Sequence, residues 1–197
     1  MSIKSNYLAE VIESSLQSFK SQCWEREKIP AFGSCVAIDI PHDNKTIFGV
    51  VHQVYTCSDD PVRSVYAYRK TEEELQKEQP QIFAFLKTIF TAIVLGHKQG
   101  GMISQATISF PAPLHAFVRP ATVEECTQFF EQTYYISLLF SQAFQLGNID
   151  ELLLAMLNQF QIMGFRDDAL LESFIEQFSL LSGGDYQRLR LFLERIA

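Results

Sequence analysis

The chain is poor in the features that announce a chemistry. Its 197 residues hold one Trp, four Cys and four His, and no two cysteines stand at the close spacing of a zinc ribbon or a redox motif. Cys23, Cys35, Cys57 and Cys126 are widely separated, so they read as reduced thiols and not as a disulfide framework. Neither Gly100-Gly101 nor Gly183-Gly184 is followed by Lys-Ser or Lys-Thr, and no Gly-x-Gly-x-x-Gly occurs, which argues against a nucleotide phosphate cradle in this sequence. A Gly-x-Ser-x-Gly elbow and a His-Glu-x-x-His helix are missing too, removing the motifs of two large hydrolase classes. Dense Lys/Arg clusters are also lacking, and with them the counterion-releasing surface that direct nucleic-acid binding requires. The most apolar run, from Ile82 to Gly96, is short and interrupted by Lys87, so a buried strand or helix is expected there and not a membrane span. With Lys4, Glu10 and Glu13 in place of an apolar leader, the expectation is a soluble, cytoplasmic chain.

What is present points to architecture. Two β-rich arms, Phe32–Ile40 and Lys45–Tyr55, flank the turn formers Pro41-His42-Asp43-Asn44 and predict a hairpin. With Asp43-Asn44 at its tip, Ile40 would face Ile47, Ile38 would face Gly49 and Val36 would face Val51. That arrangement sets an apolar row on one face, and Cys35, Ala37 and Asp39 with Phe48, Val50 and His52 on the other. Gly49 in mid-strand predicts a bend or a close backbone approach. Val62–Tyr68 predicts a further strand, Thr71 with Glu74 a capping box opening a short helix that Pro80 stops, and Ile82–Leu86 a brief second helix. Ile89–His97 predicts a buried strand ended by Gly100-Gly101. Beyond Pro111 and Pro113, Ala116–Arg119 could close a barrel.

The two ends read as helical. Leu8, Val11, Ile12, Leu16 and Phe19 recur at three- and four-residue spacing, predicting an amphipathic helix over about residues 3–21. After Pro120, capping residues and glycine stops divide the chain into about four helices, 122–146, 150–163, 167–181 and 185–196. Charge divides with them: residues 1–119 hold 12 acids and 12 bases, and residues 120–197 hold 11 acids and 4 bases. The overall expectation is an α+β chain with an N-terminal amphipathic helix (1–28), a small antiparallel six-stranded β-barrel (29–120) and an acidic helical domain (121–197).

Few residues invite a chemical role. His52, His97 and His115, with Arg119, are the candidate binding residues. Cys35 and His52 would oppose each other in the expected register, but two ligands do not make a structural zinc site. No metal, cofactor or catalytic residue is assigned. Arg188, Arg190 and Arg195 sit late in the last helix, where cations favour the helix dipole and could also form a small anion- or partner-binding stripe.

One resemblance emerges from these segments. Phe32-Gly33-Ser34 leads into a strand and Ile47-Phe48-Gly49-Val50-Val51 returns. An acidic helix start, Thr71-Glu72-Glu73-Glu74-Leu75, precedes Pro80, and Ile93-Val94-Leu95-Gly96 precedes the block Pro111-x-Pro113-x-His115-x-x-Val118. Over about residues 29–120 this pattern resembles the HAS-barrel family, named for the barrel shared by HerA-type DNA-translocating ATPases and the rotary ATP synthase subunits. The resemblance implies a six-stranded barrel that serves in assembly, by subunit packing in a ring or by docking a partner enzyme. In those ATPases a phosphate-loop ATPase domain follows the barrel, whereas here four acidic helices follow. The implied role is a non-enzymatic interaction or assembly module, with a protein partner such as a ring-forming ATPase on a separate chain, or with itself as a homo-oligomer. Two alternatives stand beside it: a small-molecule- or metal-dependent enzyme with a site between barrel and helices, and an accessory factor in DNA processing.

Overall fold

A computed structural model describes residues 6–25, 28–58 and 66–196. Among these residues seven strands form one sheet: β1 (Ala9–Ser14), β2 (Ser18–Cys23), β3 (Cys35–Ile40), β4 (Lys45–Ser58), β5 (Leu86–Gln99), β6 (Met102–Ser104) and β7 (Phe117–Pro120). The order is β2-β1-β7-β3-β4-β5-β6, and β2 also pairs with β5. That last pairing closes β1, β2, β3, β4, β5 and β7 into an antiparallel six-stranded barrel, while β6 is a short hairpin return on β5. Among the described residues eight α-helices complete an α+β fold: α1 (Glu72–Glu78), α2 (Gln81–Ala84), α3 (Val123–Phe130), α4 (Tyr134–Ser141), α5 (Ala143–Leu146), α6 (Ile149–Met163), α7 (Asp168–Leu181) and α8 (Tyr186–Ile196).

The N-terminal helix expected over residues 3–21 is replaced by β1 and β2, so the barrel begins at residue 9 and not at 29. The helical spacing was produced by a bulge. Val11 pairs with Ser21 and Glu13 with Lys20, which leaves Ile12 as an extra residue and breaks the two-residue alternation. The turn between the strands is held by Ser15, whose Oγ accepts from the Gln17 and Ser18 amides, a local bonding pattern that competes with helix. The barrel is closed partly by this hairpin, since Gln22 to Ser18 run along Ile89 to Ile93.

The central hairpin forms with its faces as expected but its register moved by two. Ile40 faces Lys45, Ile38 faces Ile47 and Val36 faces Gly49. The loop takes all four residues, because Pro41–Asp43 make a 3-10 turn and Asn44 adopts φ 46° before the ladder resumes. A shift of two residues preserves side-chain parity. Val36, Ile38, Ile40, Ile47 and Val51 therefore fill the barrel interior with Phe19, Phe90 and Val118. Cys35, Ala37, Phe48 and Val50 face outward, where Phe129, Phe130, Tyr135, Phe160, Phe174, Phe178 and Phe192 of the helices cover them in a second core. Strands buried on both faces explain the unbroken apolar runs of β3 and β5. Gly49 sits beside a register shift in the β4–β5 ladder; a Cβ there would meet Phe19 Cε1 at 2.9 Å and the Ile93 carbonyl oxygen at 3.0 Å.

Of the four helices expected after Pro120, the first is three: 122–146 breaks into α3, α4 and α5. Gln105, on the loop after β6, occupies the first break. Its Nε2 donates to the carbonyls of Phe129 (2.5 Å) and Gln132 (2.9 Å), and its Oε1 accepts from the Tyr135 amide (2.8 Å). The remaining three helices and the capping box of α1 are where the sequence puts them. The strand expected over Val62–Tyr68 falls largely on residues outside the described ones, and Tyr66–Tyr68 carry no strand.

Candidate functional site

The four candidate residues are placed on different parts of the barrel. His52 is the residue left over at a bulge in β4, between Val51, which pairs with Ala92, and Gln53, which pairs with Thr91. Cys35 therefore faces Val50 and not His52. Burial lowers the His52 pKa, so its imidazole is neutral at neutral pH. His97 lies further along the same ladder, between Ile47 and Ser104. Its pKa is lowered by burial and then by the Lys45 charge, and its Nδ1 is buried without a hydrogen-bond partner among the described residues. His115 is exposed at φ 65°, and its Nδ1 lies 2.5 Å from Glu10 Oε1. Among the described residues, no group of three or more His, Cys, Asp or Glu is placed to hold a metal ion.

Arg119 is the candidate with a definite structural role. From β7 its Nε and Nη2 donate to Asp39 of β3 at 2.7 and 2.9 Å, and its Nη1 and Nη2 donate to Glu125 of α3 at 2.7 Å each. Nη1 also donates to the Pro120 carbonyl at 3.3 Å. All five guanidinium donors are thus engaged within the chain, in the bidentate geometry that arginine alone provides. Glu125 is at the same time the capping-box acid of α3, accepting from the Thr122 amide while Thr122 Oγ1 accepts from the Glu125 amide. One residue thus joins two barrel strands to the first helix of the acidic half. Burial by itself would raise both carboxyls, but the hydrogen bonds and charge of Arg119 outweigh it, assisted by the Thr46 hydroxyl at Asp39 and the Thr122 amide at Glu125, and both are held below their ordinary values.

Behind that clamp Cys35 and Cys126 are packed, not poised. The Cys35 thiol is pushed well above its ordinary value, first by its hydrogen bond with Cys126 and then by burial, and burial pushes Cys23 up to about 11. Neither is a thiolate at neutral pH, so neither has the character of a nucleophile. The late arginines are also engaged: Arg188 makes a bidentate pair with Asp150 at 2.9 and 2.6 Å, Arg195 pairs with Glu151, and Arg190 pairs with Glu194 along its own helix. The first two pairs fasten α8 to the start of α6.

The surface feature that spacing missed lies where β1, β2 and β7 meet. Phe117 packs at 5.4 Å from Tyr7 and at 5.0 Å, nearly perpendicular, from Trp24. Trp24 and Phe117 are each 37% exposed. Tyr7 also borders a cavity of about 370 Å³ between the N-terminal segment, the β2–β3 connection and α6, lined by Leu8, Ile29, Ser34, Cys35 and Gln159. Aromatic residues beside an apolar recess with a few polar groups are the usual composition of a contact surface. The sequence offered no period linking Tyr7, Trp24 and Phe117, because they stand on three separate strand ends that only barrel closure brings together.

Comparison with known proteins adds one positive finding. The family model of the HAS barrel domain matches residues 8–100, a span that opens at β1 and includes the β1–β2 hairpin. No curated protein matches the chain.

Proposed function

We propose that this chain, whose residues 8–100 match the HAS barrel domain model, is a non-enzymatic assembly module that docks a protein partner, a ring-forming ATPase carried on a separate polypeptide. The observation that carries this reading is the barrel itself. It is a closed scaffold with an apolar interior whose candidate polar residues are dispersed, Arg119 being engaged by Asp39 and Glu125 and His115 by Glu10, while aromatic side chains stand at its surface. The helical half supports the reading in two ways: it covers the outer face of β3 to β5 with a Phe-rich core, and its excess of acids disfavours contact with a phosphate backbone. The barrel supplies the primary docking surface and the acidic helices a second one, with self-association as the competing use of the same surfaces.

The test is affinity purification of the tagged full-length chain from native extract, with quantitative mass spectrometry and light scattering on the purified protein. A ring ATPase recovered reproducibly, and reconstituted with the purified chain at fixed stoichiometry, is the expected result. A monomer with no reproducible partner would defeat the proposal. A homo-oligomer without partner would replace it with self-assembly.

A further inference from the structure

Strand β4 is longer than the strand that covers it. On one side it pairs with β5 along its whole length, from Lys45 opposite Gln99 to Ser58 opposite Leu86. On the other side it pairs with β3 only as far as Val50 opposite Cys35. Two more bonds follow, from the Gly33 amide to the Val51 carbonyl at 2.8 Å and from the Val51 amide to the Ser34 carbonyl at 3.0 Å. There the covering chain leaves. Gly33 has φ 81°, and its Cα is pressed so closely on α6 that a Cβ would lie 2.7 Å from Ala155. The segment before β3 is thereby steered onto the helix and away from β4.

Among the described residues, Gln53 to Cys57 are left with one ladder and one open edge. Among the described residues none donates to or accepts from the backbone of this stretch on the β3 side. Gln53, Val54, Tyr55 and Thr56 are exposed. An open edge presents a row of unpaired amides and carbonyls, and proteins ordinarily blunt it with lysine, proline, other charges or extreme shortness. The run His52-Gln-Val-Tyr-Thr-Cys57 has no charged residue and no proline, and it is rich in strand formers. Its one irregularity, the bulge at His52, lies at the start and leaves the following register regular.

We propose that the open edge of β4 from Gln53 to Cys57 is a docking site for an extended, strand-forming segment of a partner protein, which adds to the sheet as a further strand. This deepens the interaction-module reading and rests on it. The chemistry of the edge selects the occupant, because backbone amides and carbonyls at strand spacing are satisfied together only by another strand. The size of the edge favours a segment over a second copy of the chain. Five residues give a strip roughly 17 Å long, which buries far less than the roughly 1,200 Å² of a stable interface between globular partners. A segment tethered to a partner held elsewhere on the module gains from that tether by effective concentration.

The test begins with a random twelve-residue peptide library displayed on phage and panned against the full-length protein. Enriched peptides are then synthesised and measured on wild type and on two variants, Val54→Pro and Tyr55→Pro. Successive strand residues direct their amides to opposite sides, so one proline removes a β5 ladder bond and the other removes an outward donor. The variant that keeps the wild-type thermal transition is the edge variant. Expected are proline-poor, β-prone peptides that bind wild type, bind the edge variant at least tenfold more weakly, and slow hydrogen exchange of amides between Gln53 and Cys57. The exchange measurement stands by itself if both prolines unfold the chain. An empty selection, equal binding to the edge variant, protection confined to other elements, or a homodimer sealed by this edge would each overturn the proposal. A partner recovered by affinity purification that binds wild type and edge variant alike would refute the edge while leaving the module reading intact; failure of that reading shows separately, as the absence of any partner.

Discussion

Arg119 decides more of this fold than any other polar side chain. Its own side chain is 16% exposed and those of Asp39 and Glu125 are 32% and 19% exposed, so the pairs are partly desolvated and removing one member strands the others. Replacement Arg119→Met keeps much of the packing but leaves two half-buried carboxylates without their cation; the expected loss is about 2–3 kcal/mol at neutral pH by urea unfolding. The pH dependence has a definite sign. Both carboxyls titrate in the folded chain below their ordinary values of 3.8 and 4.5. Their stabilisation is therefore complete above those values and is lost as pH falls through the depressed folded ones. In Arg119→Met the same groups are desolvated without compensation and take up protons more readily on folding. The gap between wild type and variant should thus begin to narrow above pH 4.5, where the variant's carboxyls start to take up protons, and go on narrowing as pH falls through the depressed wild-type values. A gap unchanged between neutral and acid pH would show that the loss is packing alone. None of this was legible in the sequence, where Arg119 read as a free binding residue. Asp39 lies 80 positions away, and nothing in either segment's spacing pairs them.

At the scale of elements, local chemistry was readable and long-range chemistry was not. The caps at Thr71 and Thr122, the start at Asp167 and the stop at Gly164 are interactions within a few residues, so they appear directly as motifs; Asn148, the cap of α6, instead read as part of the break before a helix starting at Asp150. The inward and outward faces of the central hairpin were also readable, because a two-residue register error preserves parity. By contrast, β1 read as helix because Ile12 is an inserted residue, and 122–146 read as one helix because its break is capped by Gln105 from another part of the chain. The candidate site was legible only in composition: the histidines were named, but their dispersal follows from barrel closure. Gly33 is the element-level position with the sharpest consequence. It combines φ 81° with contacts of 2.7–2.8 Å from a built Cβ to the α6 backbone and to Ala155, so Gly33→Ala incurs backbone strain and a clash at once. The expected cost is about 2–4 kcal/mol, seen as a lowered thermal midpoint. Gly49→Ala is expected to be milder, because its nearest neighbour is the ring edge of Phe19, which can turn. Equal effects at the two positions would contradict this account of the barrel–helix seam.

For the whole molecule, the question is whether barrel and helices behave as separable domains divided near residue 120 or as one cooperative body. The division drawn from sequence rests on a change of composition, and composition says nothing about where the core lies. One hydrophobic cluster includes Cys35, Ala37, Phe48, Val50, Ile93 and Leu95 of the barrel together with Phe129, Tyr135, Leu153, Met156, Phe178 and Phe192 of the helices. Opening that seam would expose the outer faces of three strands and the helix side chains packed on them, at roughly 25 cal/mol for each Å² of apolar surface; the barrel would keep its interior core but lose the cover of its outer face. Trp24, the single tryptophan, sits on the barrel against Phe117 and reports barrel unfolding by fluorescence, whereas far-UV circular dichroism is dominated by α6, α7 and α8. The two signals should follow a single urea transition with coincident midpoints. A chain cut after Pro120 should lose the Trp24 transition and aggregate through the uncovered faces of β3 to β5. Separate midpoints, or a soluble residue 1–120 fragment with a cooperative transition of its own, would instead establish two domains. The acidic helices would then be an appendage to the barrel and not the second wall of its core.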